Sequence, residues 1–118
     1  MSPGAVTAPH SHTHEEETPY VLEGTLQVET QGKTITLTAG QTATLPRNVP
    51  HRLSNPTSGI TRILMLCKPA GFDSYLKEIG EPVDDPTAPP APMTEAQISR
   101  LVEVAGRYGI SMVDQAEL

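Results

Sequence analysis

Short segments of alternating apolar and polar residues run from residue 20 to residue 67, and they constrain the fold more than any other feature. Leu26 and Val28 alternate with polar residues, as in a strand with one buried face. Turn-forming pairs such as Gln31-Gly32 separate the segments at roughly eight- to twelve-residue spacing. This pattern predicts an all-β fold, a small antiparallel β-barrel or sandwich.

The most apolar of the expected strands is the last. Ile63, Met65 and Cys67 share one face of it, and Leu64 and Leu66 share the other. The sequence leaves open which face points inward. The expected strands cover residues 20–22, 25–28, 34–38, 42–45, 51–54 and 60–67.

After the last strand, the spacing of the apolar residues becomes that of a helix. Apolar residues at i, i+3, i+4 and i+7 from Phe72 to Ile79 predict a short helix. A capping box from Thr94 to Gln97 opens a second helix. Its expected apolar stripe is Ile98, Leu101, Val102 and Ala105, which should pack either on the barrel or on a partner subunit. We therefore divide the chain into a barrel with the short helix (1–80), a proline-rich linker (81–93) and a C-terminal helical tail (94–118).

Composition excludes several classes of function. A net charge of −6 makes nucleic acid or an anionic membrane an unsuitable partner. No apolar run approaches the ~20 residues of a membrane span, and the N-terminus has no signal-peptide pattern. The single cysteine excludes an internal disulfide. We expect a cytoplasmic protein whose partner is a small molecule.

All four histidines lie in two short clusters. His10, His12 and His14 precede three glutamates, and His51 follows a turn. Residues two apart on a strand point to the same face, so His10 and His12 can reach one ion. Glu17 and His51 can join them as the chain turns and pairs. Three nitrogens and one oxygen suit one divalent transition metal, such as iron, manganese, nickel, cobalt or zinc.

Other polar residues near the first cluster are candidates for supporting roles. His14 would share the strand face of the other histidines if the strand extended that far and would then compete as a ligand, but a position beside the ligands or at the surface suits it better. Glu15 and Glu16 fit solvated charge better than ligation. Glu16, His14 and Tyr20 are also candidate acid–base groups near the ion, and Glu17 is a candidate base for a substrate hydroxyl.

The substrate-binding candidates are fewer. Met65 and Phe72 suit a flexible apolar wall, although ordinary core positions explain them equally well. Arg62 is a candidate partner for an anionic group, and His14 is a further candidate contact.

Two gapped patterns carry a resemblance to a known family. The first cluster fits G-x5-H-x-H-x(3,4)-E-x6-G through Gly4, His10, His12, Glu17 and Gly24. This pattern resembles the first motif of the cupin superfamily.

The second cluster resembles the second cupin motif, G-x5-P-x-G-x2-H-x3-N. It departs from that motif only at Asn48, which replaces the glycine and can also adopt a left-handed turn. With the later helix and proline-rich stretch, the chain resembles single-domain, quercetin-dioxygenase-like cupins. The other matched positions are Gly40, Pro46, His51 and Asn55.

The resemblance implies a β-barrel of the cupin or jelly-roll type with short C-terminal helices. It carries the metal-ligand roles onto His10, His12, Glu17 and His51, and it favours the pair His10–His12 over His12–His14. It implies a metal-dependent enzyme acting on a small organic molecule, foremost by dioxygenase-type oxidation of an enolic or phenolic substrate. The alternatives are a redox-silent isomerase, lyase or polyketide-cyclase-like enzyme, and a non-catalytic small-molecule-binding cupin.

Only nine residues precede His10, whereas members of the family usually have strands upstream of the first motif. The sheet edge left open would need a cover. A trimmed chain, an open barrel or a strand lent by a second subunit would each explain this, and the last predicts a homodimer with strand exchange.

Overall fold

Two antiparallel β-sheets and two helices make up the computed structural model, which describes all 118 residues. The strands are β1 (His10–His12), β2 (Glu16–Glu23), β3 (Thr25–Thr30), β4 (Lys33–Thr38), β5 (His51–Ser54), β6 (Arg62–Lys68) and β7 (Ile110–Met112). One sheet has the strand order β4-β3-β5-β1-β7, and the other pairs β2 with β6. The helices are α1 (Phe72–Ile79) and α2 (Glu95–Arg107), followed by a 3-10 turn (Gln115–Glu117). The predicted all-β barrel class with short C-terminal helices is confirmed.

Alternate residues of the strands face a core between the two sheets. On β6, Ile63 and Met65 pack against that core, whereas Leu64 and Leu66 face solvent and are 53% and 59% exposed. The structure thus answers the question that the sequence left open for this strand. The buried core residues are Val21, Leu26, Val28, Leu37, Leu45 and Leu53.

Two local expectations are corrected by the structure. Residues 42–45 form no regular strand; they join β2 through isolated bridges at Thr42 and Leu45 and through the Thr42 hydroxyl, which donates to the Pro19 carbonyl. On α2 the buried residues are Val104 and Ala105, and the stripe predicted through Ile98 and Val102 is only partly inward. The capping box at Thr94 is confirmed.

The C-terminal strand β7 was not predicted. It pairs antiparallel with β1, placing Met112 opposite His10 and Ile110 opposite His12. The chain therefore covers one edge of β1 with its own C-terminus, while β6 has a sheet neighbour on one side only. A second core of Tyr75, Val104, Ala105 and Ile110 ties the helices to β7.

The expected homodimer and the expected boundaries at residues 80 and 93 stay predictions. Neither helix has the length and apolar character that crossing a membrane requires.

Gly24 connects β2 to β3 in a conformation that only glycine adopts without strain, with φ of 83°. A methyl group at this position would lie 2.7 Å from the carbonyl oxygen of Ile60 and 2.7 Å from the hydroxyl oxygen of Thr61. The Thr61 hydroxyl is held in place, because it accepts from the backbone N–H of Thr25 and donates to the Thr25 carbonyl.

We predict that Gly24→Ala lowers the free energy of unfolding by about 2–3 kcal/mol through backbone strain and overlap. Gly59→Ala is the matched control, since nothing lies within 4 Å of the added methyl group there, and it should change stability by less than about 1 kcal/mol. Urea unfolding of both variants measures the difference. Equal midpoints would contradict the prediction.

Candidate metal centre

Strand pairing brings the two histidine clusters together. His10 and His12 lie on one face of β1, two residues apart, and His10 lies directly opposite His51 on β5. Glu17 reaches the same place from β2, where its backbone N–H and C=O both bond Leu45, at 3.1 Å and 2.7 Å. The site is therefore built on paired strands from both sheets, which hold the side chains more firmly than loops would.

The turn before His51 links the second motif to the first. Asn48 adopts the left-handed conformation with φ of 64°, as the sequence predicted. Its backbone N–H donates to the carbonyl oxygen of His12 at 2.7 Å. At the far end of β5, the buried Asn55 amide donates to the carbonyl oxygens of Met1, Ser2 and Gly59. The asparagines thus fix the turns on either side of β5.

The four side chains offer ligand atoms that all lie within 4.8 Å of one another. The Glu17 carboxylate lies 3.3 Å from Nε2 of His12 and 3.2 Å from Nε2 of His51. Neighbouring ligand atoms around an octahedral ion lie about 3 Å apart when each is about 2.1 Å from the metal. The two distances from Glu17 therefore match neighbouring ligands on a common metal ion.

The proton positions of the imidazoles also fit a metal. Nδ1 of His10 donates to the Ala8 carbonyl at 2.7 Å and Nδ1 of His51 to the Val49 carbonyl at 3.3 Å, because a carbonyl oxygen can only accept. These bonds leave Nε2 as the free lone pair. Nε2 of His12 and of His51 is buried without a hydrogen-bond partner. A buried, unpartnered nitrogen is costly, and a cation would satisfy it.

Glu15 takes a role that the sequence did not predict. Its carboxylate is buried and lies 2.6 Å from Nδ1 of His12. The expectation that Glu15 is a solvated charge is therefore wrong. Residues 13 and 14 carry the chain through a bend, which turns Glu15 back onto His12. This carboxylate fixes the ring so that Nε2 faces the site, as carboxylates behind metal-bound histidines commonly do.

Electrostatics keep the cluster in the state that binds metal. Burial alone would raise the pKa of Glu17, but the contact with His51 and the proximity of the His12 and His10 rings outweigh it and bring the pKa below its usual value. Burial lowers the pKa of His10. The carboxylate therefore stays ionised and the imidazole stays neutral at neutral pH, which is the form that coordinates cations.

The cluster opens onto a cavity of about 600 Å³ between the barrel and the C-terminal helices. His10, His12 and Glu17 line it, and fifteen of its nineteen lining residues are hydrophobic. The Phe72 ring stands edge-on to His12, with ring centres 5.5 Å apart. Tyr75 lines the cavity as well, with its hydroxyl donating to the Leu101 carbonyl.

The structure brings together some of the other predicted residues and separates the rest. Met65 and Phe72 line the cavity. Glu16 and Tyr20 lie on the outer face of β2, because residues alternate along a strand and Glu17 takes the inner face.

Two more predicted residues lie outside the cavity. His14 is exposed, and its ring lies beside Gly109. Arg62 lies 3.9 Å from the exposed Glu23. Cys67 faces inward from β6 opposite Glu17, and burial first, then nearby carboxylates, raises the pKa of its thiol to about 11. It therefore remains a neutral thiol at pH 7.

Comparison with known families agrees with this geometry. A family model described as a cupin domain matches residues 1–67, more than half of the chain. The chain belongs to the cupin family. The matched part of this cupin contains all four candidate ligands, whereas α1, α2 and β7 lie beyond it.

Relatives match the cupin over part of their own length. Polyketide synthase CurC from Streptomyces cyaneus is 40% identical over 55 residues, 47% of this chain and 36% of CurC. HTH-type transcriptional regulator PuuR from Escherichia coli is 34% identical over 70 residues, 59% of this chain and 38% of PuuR. The chain thus spans little more than a third of these curated relatives. Among solved structures, KdgF from Halomonas sp. is similar with a TM-score of 0.58 at 26% identity, over 63% of this chain and 66% of KdgF.

We predict a rank order of metal affinity among three variants. His51→Ala removes a ligand and should weaken binding more than Glu15→Gln, which removes only the charge behind His12 and should cost roughly 10–100-fold. His14→Ala should bind like the wild type and is the matched histidine control. Calorimetric titration of the metal-free proteins with nickel measures the order. A larger loss in His14→Ala than in His51→Ala would show that a different histidine pair holds the metal.

Metal affinity should also depend on pH. Protons compete for the imidazole lone pairs, and the lowered pKa values of His10 and Glu17 keep these two groups competent below the pH at which free histidine titrates. We predict constant affinity from pH 8 to about 6.5 and a loss of at least about tenfold by pH 5. The same titration at each pH measures this. Affinity that does not change over the range would rule out a histidine-dominated site.

Proposed function

We propose that this cupin is a metal-dependent enzyme that oxidises a small molecule bearing an enolic or phenolic hydroxyl with dioxygen. The observation that carries the proposal is the position of the ligand cluster. It forms part of the wall of a large cavity, so a metal held there is reachable by a substrate rather than enclosed as in a structural site.

Four protein ligands suit an ion that accepts six, so two positions remain for exogenous groups. When bound, a redox-active metal of this kind supplies Lewis acidity and one-electron chemistry towards dioxygen. Glu17 lines the cavity, so its carboxylate is positioned to accept the proton of a substrate hydroxyl.

The proposed reaction needs no separate reductant. A dioxygenase places both oxygen atoms of dioxygen in the organic product, and the substrate itself supplies the four electrons that reduce them. The substrate's hydroxyl proton passes to Glu17 and returns to the product.

Few groups in the cavity can perform acid–base chemistry apart from the metal cluster. Tyr75 is the remaining titratable residue of the lining, and its hydroxyl is engaged with Leu101 while burial raises its pKa. Glu16, His14 and Tyr20, the groups that a redox-silent reaction could have used, lie outside the cavity. This favours oxidation at the metal over a redox-silent reaction that depends on proton transfer by a separate acid and base.

A redox-silent reaction is the second candidate, and the likeness to CurC, named as a polyketide synthase, favours it. A polyketide-like substrate is enolic or phenolic, so both candidates share a substrate chemistry and differ only in the need for dioxygen. The likeness to the regulator PuuR favours a third reading, a module that binds such a molecule without changing it.

Oxygen consumption by the reconstituted protein tests the proposal. Metal-free protein is loaded in turn with iron, manganese, nickel, cobalt and zinc and incubated with a panel of polyphenols and enolic diketones. We predict oxygen uptake with at least one redox-active metal, none with zinc, loss in His51→Ala and retention in the His14→Ala control. Equal turnover with zinc without oxygen would favour the redox-silent enzyme. Substrate binding with no turnover under either condition would favour the binding module.

A further inference from the structure

Resting on the proposed function, we infer that the substrate has a large, uncharged, apolar body, and that the segment after the matched cupin domain selects it. Residues of α1, α2, β7 and the linker supply about half of the cavity lining. They are Phe72, Tyr75, Ile79, Met93, Ile98, Leu101, Val102, Ile110 and Met112.

The size of the cavity exceeds what a small chelating acid needs. A closed apolar cavity of about 150 Å³ accepts a benzene ring, and the cavity here is about 600 Å³. Its volume falls within the range of about 300–1,000 Å³ that is typical of sites for larger organic ligands. The space beyond the metal cluster therefore suits several rings or a long acyl chain.

The charge of the lining disfavours a substrate that carries a negative charge on the part that lies away from the metal cluster. Glu17 is the only Asp, Glu, Lys or Arg side chain that lines the cavity, and it is negative. Three of the arginines are engaged elsewhere: Arg52 with Glu29, Arg62 with Glu23 and Arg107 with Glu78. A carboxylate or phosphate in the body of a ligand would lose its hydration without gaining a Lys or Arg partner.

The exposed face of α2 points to the same ligand. Ile98 and Val102 are 47% and 46% exposed, although both line the cavity. Within the predicted apolar stripe, these two side chains are the ones that the rest of the chain leaves largely exposed. An apolar ligand lying between α2 and the barrel would cover them, and this removes from water a surface that is costly to leave exposed.

The distribution of methionine supports an adaptable wall. The chain has four methionines, and all four line this cavity: Met1, Met65, Met93 and Met112. Methionine side chains are unbranched and polarisable, so they fit ligands of differing shape. The wall thus suits a class of apolar molecules rather than one rigid shape.

A series of ligands with one chelating head and a growing apolar tail tests this inference. Cobalt-loaded protein is titrated without oxygen with catechol, 4-butylcatechol and 4-octylcatechol, and with oxalate as a small charged chelator. Cobalt absorption reports contact with the metal, and calorimetry on the metal-free protein reports binding of the tail by itself. We expect affinity to rise about two- to fourfold for each added methylene, the upper value corresponding to complete burial.

Substitutions in α1 and α2 show which residues produce the dependence of affinity on tail length. Ile98→Thr/Val102→Thr places hydroxyls on the wall and removes one methyl group at residue 98, and it should weaken octylcatechol binding by about tenfold while leaving catechol unchanged. Leu76→Thr is the matched control, because Leu76 is a similarly exposed apolar residue of α1 that does not line the cavity. It should bind the whole series like the wild type.

The outcomes separate this inference from the proposed function. A rise with tail length that the double variant loses supports the inference. Affinity that is independent of tail length in both forms of the protein, or oxalate binding that exceeds that of octylcatechol, overturns it even where the cobalt spectrum responds to catechol. A rise with tail length in calorimetry without any change in the cobalt spectrum would retain the inference and reject the proposed metal chemistry.

Discussion

The buried carboxylate of Glu17, surrounded by three imidazoles, is the interaction on which the rest of this structure depends. An ionised carboxylate out of water costs several kcal/mol unless opposite charge or hydrogen bonds offset it. Here the carboxylate faces Nε2 of His12 and of His51, which are themselves buried and unpartnered, so neutral imidazoles alone do not supply that compensation. A divalent cation would satisfy carboxylate and imidazoles together. The bonds of Glu17 to Leu45 and of each Nδ1 to its acceptor hold the cluster in that arrangement.

Local patterns were sufficient to predict the parts of the site that lie on regular strands. The period of two placed His10 and His12 on one face, and Asn48 at a glycine position of the second motif predicted the left-handed turn. The bend that returns Glu15 to His12 has no such period, so its buried role could not be predicted. Glu16 is the opposite case. Its position next to Glu17 in the sequence suggested an acid–base role, but side chains alternate along β2, so Glu16 faces away from the site.

The C-terminal part shows where sequence reasoning reaches its limit. Pairing of β7 with β1 joins residues about a hundred positions apart, and a three-residue strand carries no pattern from which its partner can be inferred. The stripe on α2 was predicted to pack, yet Ile98 and Val102 face a cavity instead. A local rule that fails in this way is expected where a surface is shaped for a ligand rather than for stability.

The most direct test of the account is the metal content of the protein purified without a chelating column, measured by inductively coupled plasma mass spectrometry. The account predicts about one equivalent of a divalent transition metal per chain in the wild type, and much less in a variant that lacks one of the four ligands. A wild-type protein that carries no such metal, and takes up none when micromolar metal is added, would contradict the central claim.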